Sequence, residues 1–243
     1  GHGIVQLTAN CPINDDANVT GFRHGDRVNL IARESRSTRF DADVIRFLLK
    51  LVLCVMLALA AGFAYLAVRS GDSVYTFYEW MSPARFHQYD RLIRAVAAEH
   101  HLDPMLVKAV VWRESRFDPG KHGSHGERGL MQVSEKAANE WAHESKIDNF
   151  QVERLFDPKT NLEAGTWYLH RAFERWEAQS DPTPFALAEY NAGASRVERW
   201  SGGSGGSSIP VKQFLQNIDF PGTRKYVDSI IQRYQFYQRR GQM

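Results

Sequence analysis

The sequence predicts a mostly α-helical domain preceded by a single membrane-spanning helix, and three observations carry that prediction. From Tyr89 onward apolar residues recur at helical spacing, and no stretch alternates apolar and polar residues for long enough to make a strand. Upstream, the run LVLCVMLALAAGFAYLAV, Leu51 to Val68, holds no charge over 18 residues, about the minimum for crossing a bilayer. A chain of 243 residues, 43% hydrophobic and 24% charged, is long enough for one good core and a smaller appendage.

The N-terminal part divides into three. Residues 1–46 are expected to be a polar, disordered segment, and 1–43, which carry no clear helical or strand period, are read either as its tail or as sequence upstream of a natural start near Val44. Phe47 to Leu49 extend the apolar run behind Lys50, which sets the expected span at 47–68. A buried core helix would show polar positions at helical period, and none occur. A cleavable signal peptide is the alternative to an anchor, but its apolar region is usually about 7 to 15 residues. Arg33, Arg36, Arg39, Arg46 and Lys50 precede the uncharged run Leu51 to Val68, whereas only Arg69 and Arg85 follow closely, so the N-terminus is expected in the cytoplasm and everything after Arg69 outside it. Residues 69–84 then read as a juxtamembrane linker and 85–243 as the domain.

Charge and cysteine content exclude several classes. Residues 70–243 hold 22 basic and 22 acidic side chains, a balance without the basic footprint that nucleic-acid binding leaves. Cys11 and Cys54 are the only cysteines, so the domain has neither a disulfide framework nor a cysteine zinc site. His122 and His125, three residues apart in a Gly-rich loop, do not make a metal site alone. No cofactor is expected.

Within the domain each helix has its own signal. In YDRLIRAVAAEHH, Leu92, Ile93, Val96 and Ala97 form an amphipathic stripe. Asp103 and Pro104 are an N-cap and a first-position proline, opening a helix to about Ser115. Further helical patterns cover Ser134–Ala142, Pro158–Ala178, Pro184–Asn191, Ala194–Trp200 and Thr223–Arg239. Between the last two lies SGGSGGSS, Ser201 to Ser208, read as a flexible loop inside the domain because Val211, Phe214, Ile218 and Phe220 after it are available for burial.

One carboxylate breaks the pattern. On the helix from Pro104, Val107, Val110 or Val111, and Glu114 share a face, so Glu114 extends the apolar stripe. A carboxyl group there loses hydration and holds its proton to higher pH, as a general acid in glycosidic cleavage must. Pairing with Arg113 or Arg116 is the ordinary alternative.

Four stretches bear on that choice: WRESRFDP (Trp112 to Pro119), GERGLMQV (Gly126 to Val133), AEYNAG (Ala188 to Gly193) and DFPGTRKYV (Asp219 to Val227). In order and spacing they resemble the lytic transglycosylases of SLT family 1, whose catalytic domain is goose-type-lysozyme-like; NLEAGTWYL (Asn161 to Leu169) matches the helix usually found between them. The resemblance covers about Arg85 to Tyr237. It implies a lysozyme-like helical domain that cleaves the β-1,4 bond between N-acetylmuramic acid and N-acetylglucosamine in peptidoglycan and closes a 1,6-anhydro ring. It also implies a bacterial cell with accessible murein, so that with the apolar run and its flanking charges the expectation is a cytoplasmic membrane crossed once and the domain in the periplasm. Glu114 would act as acid and then base, in place of the two carboxylates of ordinary glycoside hydrolysis.

By the same resemblance Ser115, Met131, Gln132, Tyr190, Asn191 and Tyr226 line the substrate site. Ser115 would bond a substrate amide or cap the helix end, and Met131 would offer a soft wall to a sugar ring. Leu130 reads as core, and Glu189 as a paired or solvated glutamate. Two departures stand out: Glu127 where relatives often have Ala, and Gly222 where a Glu often precedes the Thr-Arg pair. A second acid at Glu127 keeps open a hydrolytic muramidase of the same fold, and an inactive murein-binding module is a further alternative.

Overall fold

A computed structural model of the protein describes residues 24–69, 73–203 and 208–241. Its two compact units divide at Leu59 and Ala60.

The first helix, α1, runs His24–Arg69. Its 24 residues Ala42–Tyr65 form an apolar span with none of it buried against protein. At about 1.5 Å per residue that is about 36 Å, enough for a hydrocarbon core of about 30 Å. This apolar stretch starts and ends a few residues before the expected span at 47–68. The expected disordered segment 1–46 is helical from His24 on, and its first 23 residues lie outside the described ones.

The expected linker at 69–84 is also corrected. Two short helices occupy it, α2 (Ser73–Met81) and α3 (Pro83–His87). Glu79 of α2 is buried and receives a hydrogen bond from Arg233 Nη1 at 2.9 Å, so the domain extends upstream of Arg85. A buried guanidinium needs a counter-charge, and the segment that looked like a linker supplies it.

The rest of the domain is α4 (Asp90–Glu99), α5 (Pro104–Ser115), α6 (Glu135–Glu144), a 3-10 turn at Val152–Phe156, α7 (Pro158–Arg175), α8 (Thr183–Ala192), α9 (Ala194–Trp200), α10 (Val211–Asn217) and α11 (Pro221–Arg240). Among the described residues there is no strand, only isolated bridges pairing Arg128 with His122 and Val133. Starts follow local chemistry: Asp103 Oδ1 accepts from Met105 N at 2.8 Å, Ser134 Oγ from Ala137 N at 3.2 Å, and Asp157 Oδ2 from Thr160 N at 2.9 Å. Helix α10 was not expected, and the Gly-Ser loop lies partly outside the described residues, at 204–207.

Helix α5 is the centre of the domain. Leu106 to Trp112 are buried all round, including Lys108, and α4 and α11 pack on it while α8 packs on α7 and α11. Lys108 survives inside because Asp90 Oδ1 lies 2.7 Å from its Nζ, although burial still holds its pKa below the usual lysine range. Phe214 and Ile218 are buried as expected. Phe220, immediately before α11, is 44% exposed, edge-on to Trp200 with ring centroids 5.9 Å apart and with Arg196 over it.

Candidate active site

Glu114 sits in the last turn of α5 because the helix stops there. Arg116 takes a left-handed conformation (φ 56°) and donates its N–H to Trp112 O, and Phe117 follows at φ 61°. Such values are costly for side-chain-bearing residues. The turn is held by burial of Phe117, edge-on to Phe86 at 5.5 Å.

The half-buried Glu114 meets side chains from distant elements. Tyr226, buried on α11, donates its hydroxyl to Glu114 Oε1 at 2.5 Å. Burial pushes the Glu114 carboxyl up to about 7, opposed by the Tyr226 hydrogen bond and the charge of Arg113, and assisted by the charge of Glu127. The negative end of the α5 dipole acts in the same direction. Burial, and then the charge of Glu114, raise Tyr226 and Tyr190 well above the usual phenol value, so both remain donors. With Oε1 occupied, the acidic proton of Glu114 belongs on Oε2. A carboxylic acid half protonated near neutral pH can give a proton to a leaving oxygen and take one back.

The loop from Asp118 to Val133 forms one wall, tied down by Asn161 of α7. Its fully buried amide donates to Arg128 O at 2.7 Å and Leu155 O at 2.8 Å and accepts from Met131 N at 2.7 Å. A Cβ on Gly129, where φ is +75°, would collide with that amide and with Leu155 O. Tyr190, at the end of α8, donates to Met131 O at 2.9 Å, so the Asn161 knot also fixes the tyrosine beside Glu114. Asn161 was legible only as part of a family motif; a lone Asn in a helix gives no hint of three partners. Asn161→Leu leaves Met131 N and Leu155 O unpaired, while Arg128 O keeps the Val133 N–H, and at about 1–3 kcal/mol for each orphaned group the variant is expected to unfold at least about 2 kcal/mol more easily in denaturant titration.

The expected substrate residues separate into two groups. Tyr226 and Tyr190 lie beside Glu114, and Gln132 and Asn191 are held by neighbours of their own. Gln132, at φ 49°, donates its amide to Lys121 O and Gly129 O, both at 3.0 Å, and so closes the loop. Exposed Asn191 accepts the Thr223 hydroxyl at 2.8 Å, which leaves its amide N–H groups for a ligand.

Met131 and Ser115 are corrected. Met131 is fully buried against Gly165 and the Thr166 hydroxyl, so it is a packing residue rather than a wall for sugar. Ser115 is buried, and its hydroxyl turns back to Val111 O at 3.3 Å, the helix-end alternative. Leu130 is core, and Glu189 is paired, accepting from Trp176 Nε1 at 2.7 Å and Arg175 Nε at 3.1 Å. Glu127 Oε2 accepts the His125 N–H at 3.0 Å, so this carboxylate is tied to its own loop.

A helical domain that seats one half-buried, tyrosine-bonded glutamate at the end of its central helix is of the lysozyme-like class. Residues 91–210 match the transglycosylase SLT domain family. The chain is 29% identical over 144 residues to the soluble lytic murein transglycosylase of Escherichia coli strain K12, covering 59% of this chain and 22% of that protein. It is 33% identical over 131 residues to the membrane-bound lytic murein transglycosylase F of Desulfosudis oleivorans, covering 49% of this chain and 27% of that protein. The crystal structure of the 70 kDa soluble lytic transglycosylase of Escherichia coli superposes with a TM-score of 0.57 at 27% identity, over 63% of this chain and 24% of that one. The chain thus spans about a quarter of the length of such relatives. The family match ends before α11, which carries Tyr226 and Arg233.

Proposed function

We propose that this protein is a membrane-anchored lytic transglycosylase that cleaves the β-1,4 bond between N-acetylmuramic acid and N-acetylglucosamine in peptidoglycan. The observation that carries the reading is Glu114, pushed up to about 7 and hydrogen-bonded by Tyr226. The SLT family and the names of the relatives support the substrate.

Glu114 Oε2 gives its proton to the leaving glycosidic oxygen as the bond from C1 breaks, and the substrate's N-acetyl group stabilises the positive charge at C1. Tyr226 stabilises the carboxylate that forms. The carboxylate then takes the proton of the C6 hydroxyl as O6 bonds to C1, closing the 1,6-anhydro ring and restoring the acid. Tyr190 holds the loop, and Asn191 and Gln132 meet the N-acetyl and hydroxyl groups. Helix α1 crosses the cytoplasmic membrane once, by the excess of basic residues before the span, and the domain lies in the periplasm.

Mass spectrometry of murein digested by the full chain tests this. Anhydro products are lighter than hydrolytic ones by one water, about 18 mass units. Reducing-end products would instead establish the muramidase, with Glu127 the first candidate for its base, and bound murein without release would establish a binding module. The acid must be protonated to begin, so kcat/KM is expected to fall as pH rises through about 7. In Tyr226→Phe the carboxylate loses a donor, so the falling limb moves to higher pH and kcat drops about 10- to 100-fold. A limb that stayed in place would remove Tyr226 from this role.

A further inference from the structure

Helix α2 is inverted in polarity for a helix on a water-facing domain. Phe77, Trp80 and Met81, at i, i+3 and i+4, share one face and are 43%, 69% and 58% exposed. Tyr78 flanks them at 53%. The charged residue Glu79 points the other way and is buried against Arg233 at 2.9 Å. Large apolar side chains on a contiguous exposed face mark a surface that water does not cover.

The surroundings indicate what does cover it. Phe63 lies two positions before Tyr65, where the apolar span Ala42–Tyr65 ends. Its ring packs edge-on to Phe77 at 5.7 Å and tilted against Trp80 at 6.0 Å. The exposed face of α2 is therefore continuous with the exit of the span. Tryptophan, tyrosine and phenylalanine bunched at such an exit match the amphipathic belt at a membrane–water interface.

We propose that α2 is an interfacial helix: its Phe77–Trp80–Met81 face lies among the lipid head groups on the outer side of the membrane that α1 spans, and the Glu79–Arg233 pair fixes the domain to it. This rests on the anchoring by α1 proposed above. The link continues inward, because Arg233 Cζ stacks 4.2 Å over the ring of Trp112, two residues from Glu114 on α5. The same buried arginine thereby joins the exposed face of α2 to the helix that carries Glu114.

Nitroxide depth measurements on the full chain test this, in nanodiscs of phosphatidylethanolamine and phosphatidylglycerol with Cys11 and Cys54 changed to Ser. Single labels go on Met81→Cys, on Leu57→Cys within the span and on Lys136→Cys, an exposed position of α6. Power saturation with oxygen, which partitions into lipid, is compared with a water-soluble nickel chelate. The expected result is a label at 81 that meets oxygen more and nickel at least threefold less than the label at 136, intermediate between 136 and 57. A label at 81 that matches 136 while 57 reads as lipid overturns the interfacial placement and leaves the anchor standing. If 57 also reads as aqueous, the anchoring itself has failed. Shielding of 81 from both reagents, with spectral broadening that grows with the number of chains per disc, overturns the proposal in favour of a second copy of the chain.

Discussion

Glu114→Gln is expected to abolish release of anhydro-muropeptides, by about 100- to 10,000-fold, the usual contribution of a general acid–base group. The amide keeps the shape and a hydrogen bond with Tyr226 but has no proton to give. The same variant is expected to be more stable than the wild type at pH 8. The folded carboxyl titrates near 7, above its ordinary value of 4.5. Its protonation therefore adds stability that is fully present below about 4.5 and lost as pH rises through about 7. At about 1.4 kcal/mol per unit of displacement, the variant should gain on the order of 3 kcal/mol at pH 8 and nothing at pH 4. Thermal melts of both proteins across that range read the difference. Equal stabilities at pH 8 would mean that Glu114 is not held above its ordinary value, and retained activity would remove it from the reaction.

Arg233→Ala is expected to cost about 3–5 kcal/mol, the penalty for removing one member of a buried pair. Its guanidinium is fully buried, bonds Glu79 and lies over Trp112, Phe236 and Tyr237. Deleting it strands the carboxylate of Glu79 and opens a cavity beside α5. The double change Glu79→Leu with Arg233→Met should recover most of the loss, since an apolar pair of similar volume needs no hydration to be replaced. Urea titration of the three proteins in the same detergent distinguishes the cases. Recovery of stability without recovery of activity would show that the pair also sets the position of Trp112 next to Glu114.

These two residues differ in how visible they were. Glu114 was visible because it occupies an apolar position of a helix whose start is written in Asp103 and Pro104. Arg233 lay unremarked in a long charged helix, where an arginine ordinarily faces water. Its burial follows only from the approach of Glu79, 154 residues earlier, in a stretch too short and mixed to suggest part of a core. Met131 erred in the other direction. A motif residue of suitable chemistry was expected in the cleft, but Gly165 and Thr166 leave room for the thioether inside, and burial is the stronger preference of an unbranched apolar chain.

By itself the sequence determined the features that depend on neighbours along the chain. These are the apolar run and the basic residues before it, the capped starts of α5, α6 and α7, and the alignment of Glu114 with the valines of its helix. Tertiary structure alone decided what surrounds that carboxyl. Tyr226 reaches it across 112 residues, Tyr190 reaches the Met131 carbonyl across 59, and Asn161 gathers three backbone groups of the loop and turn before it. Local spacing sets which face a side chain occupies within its helix. Proton affinity depends on the hydration lost and the donors gained when other helices close over it, and those terms exist only once the chain has folded.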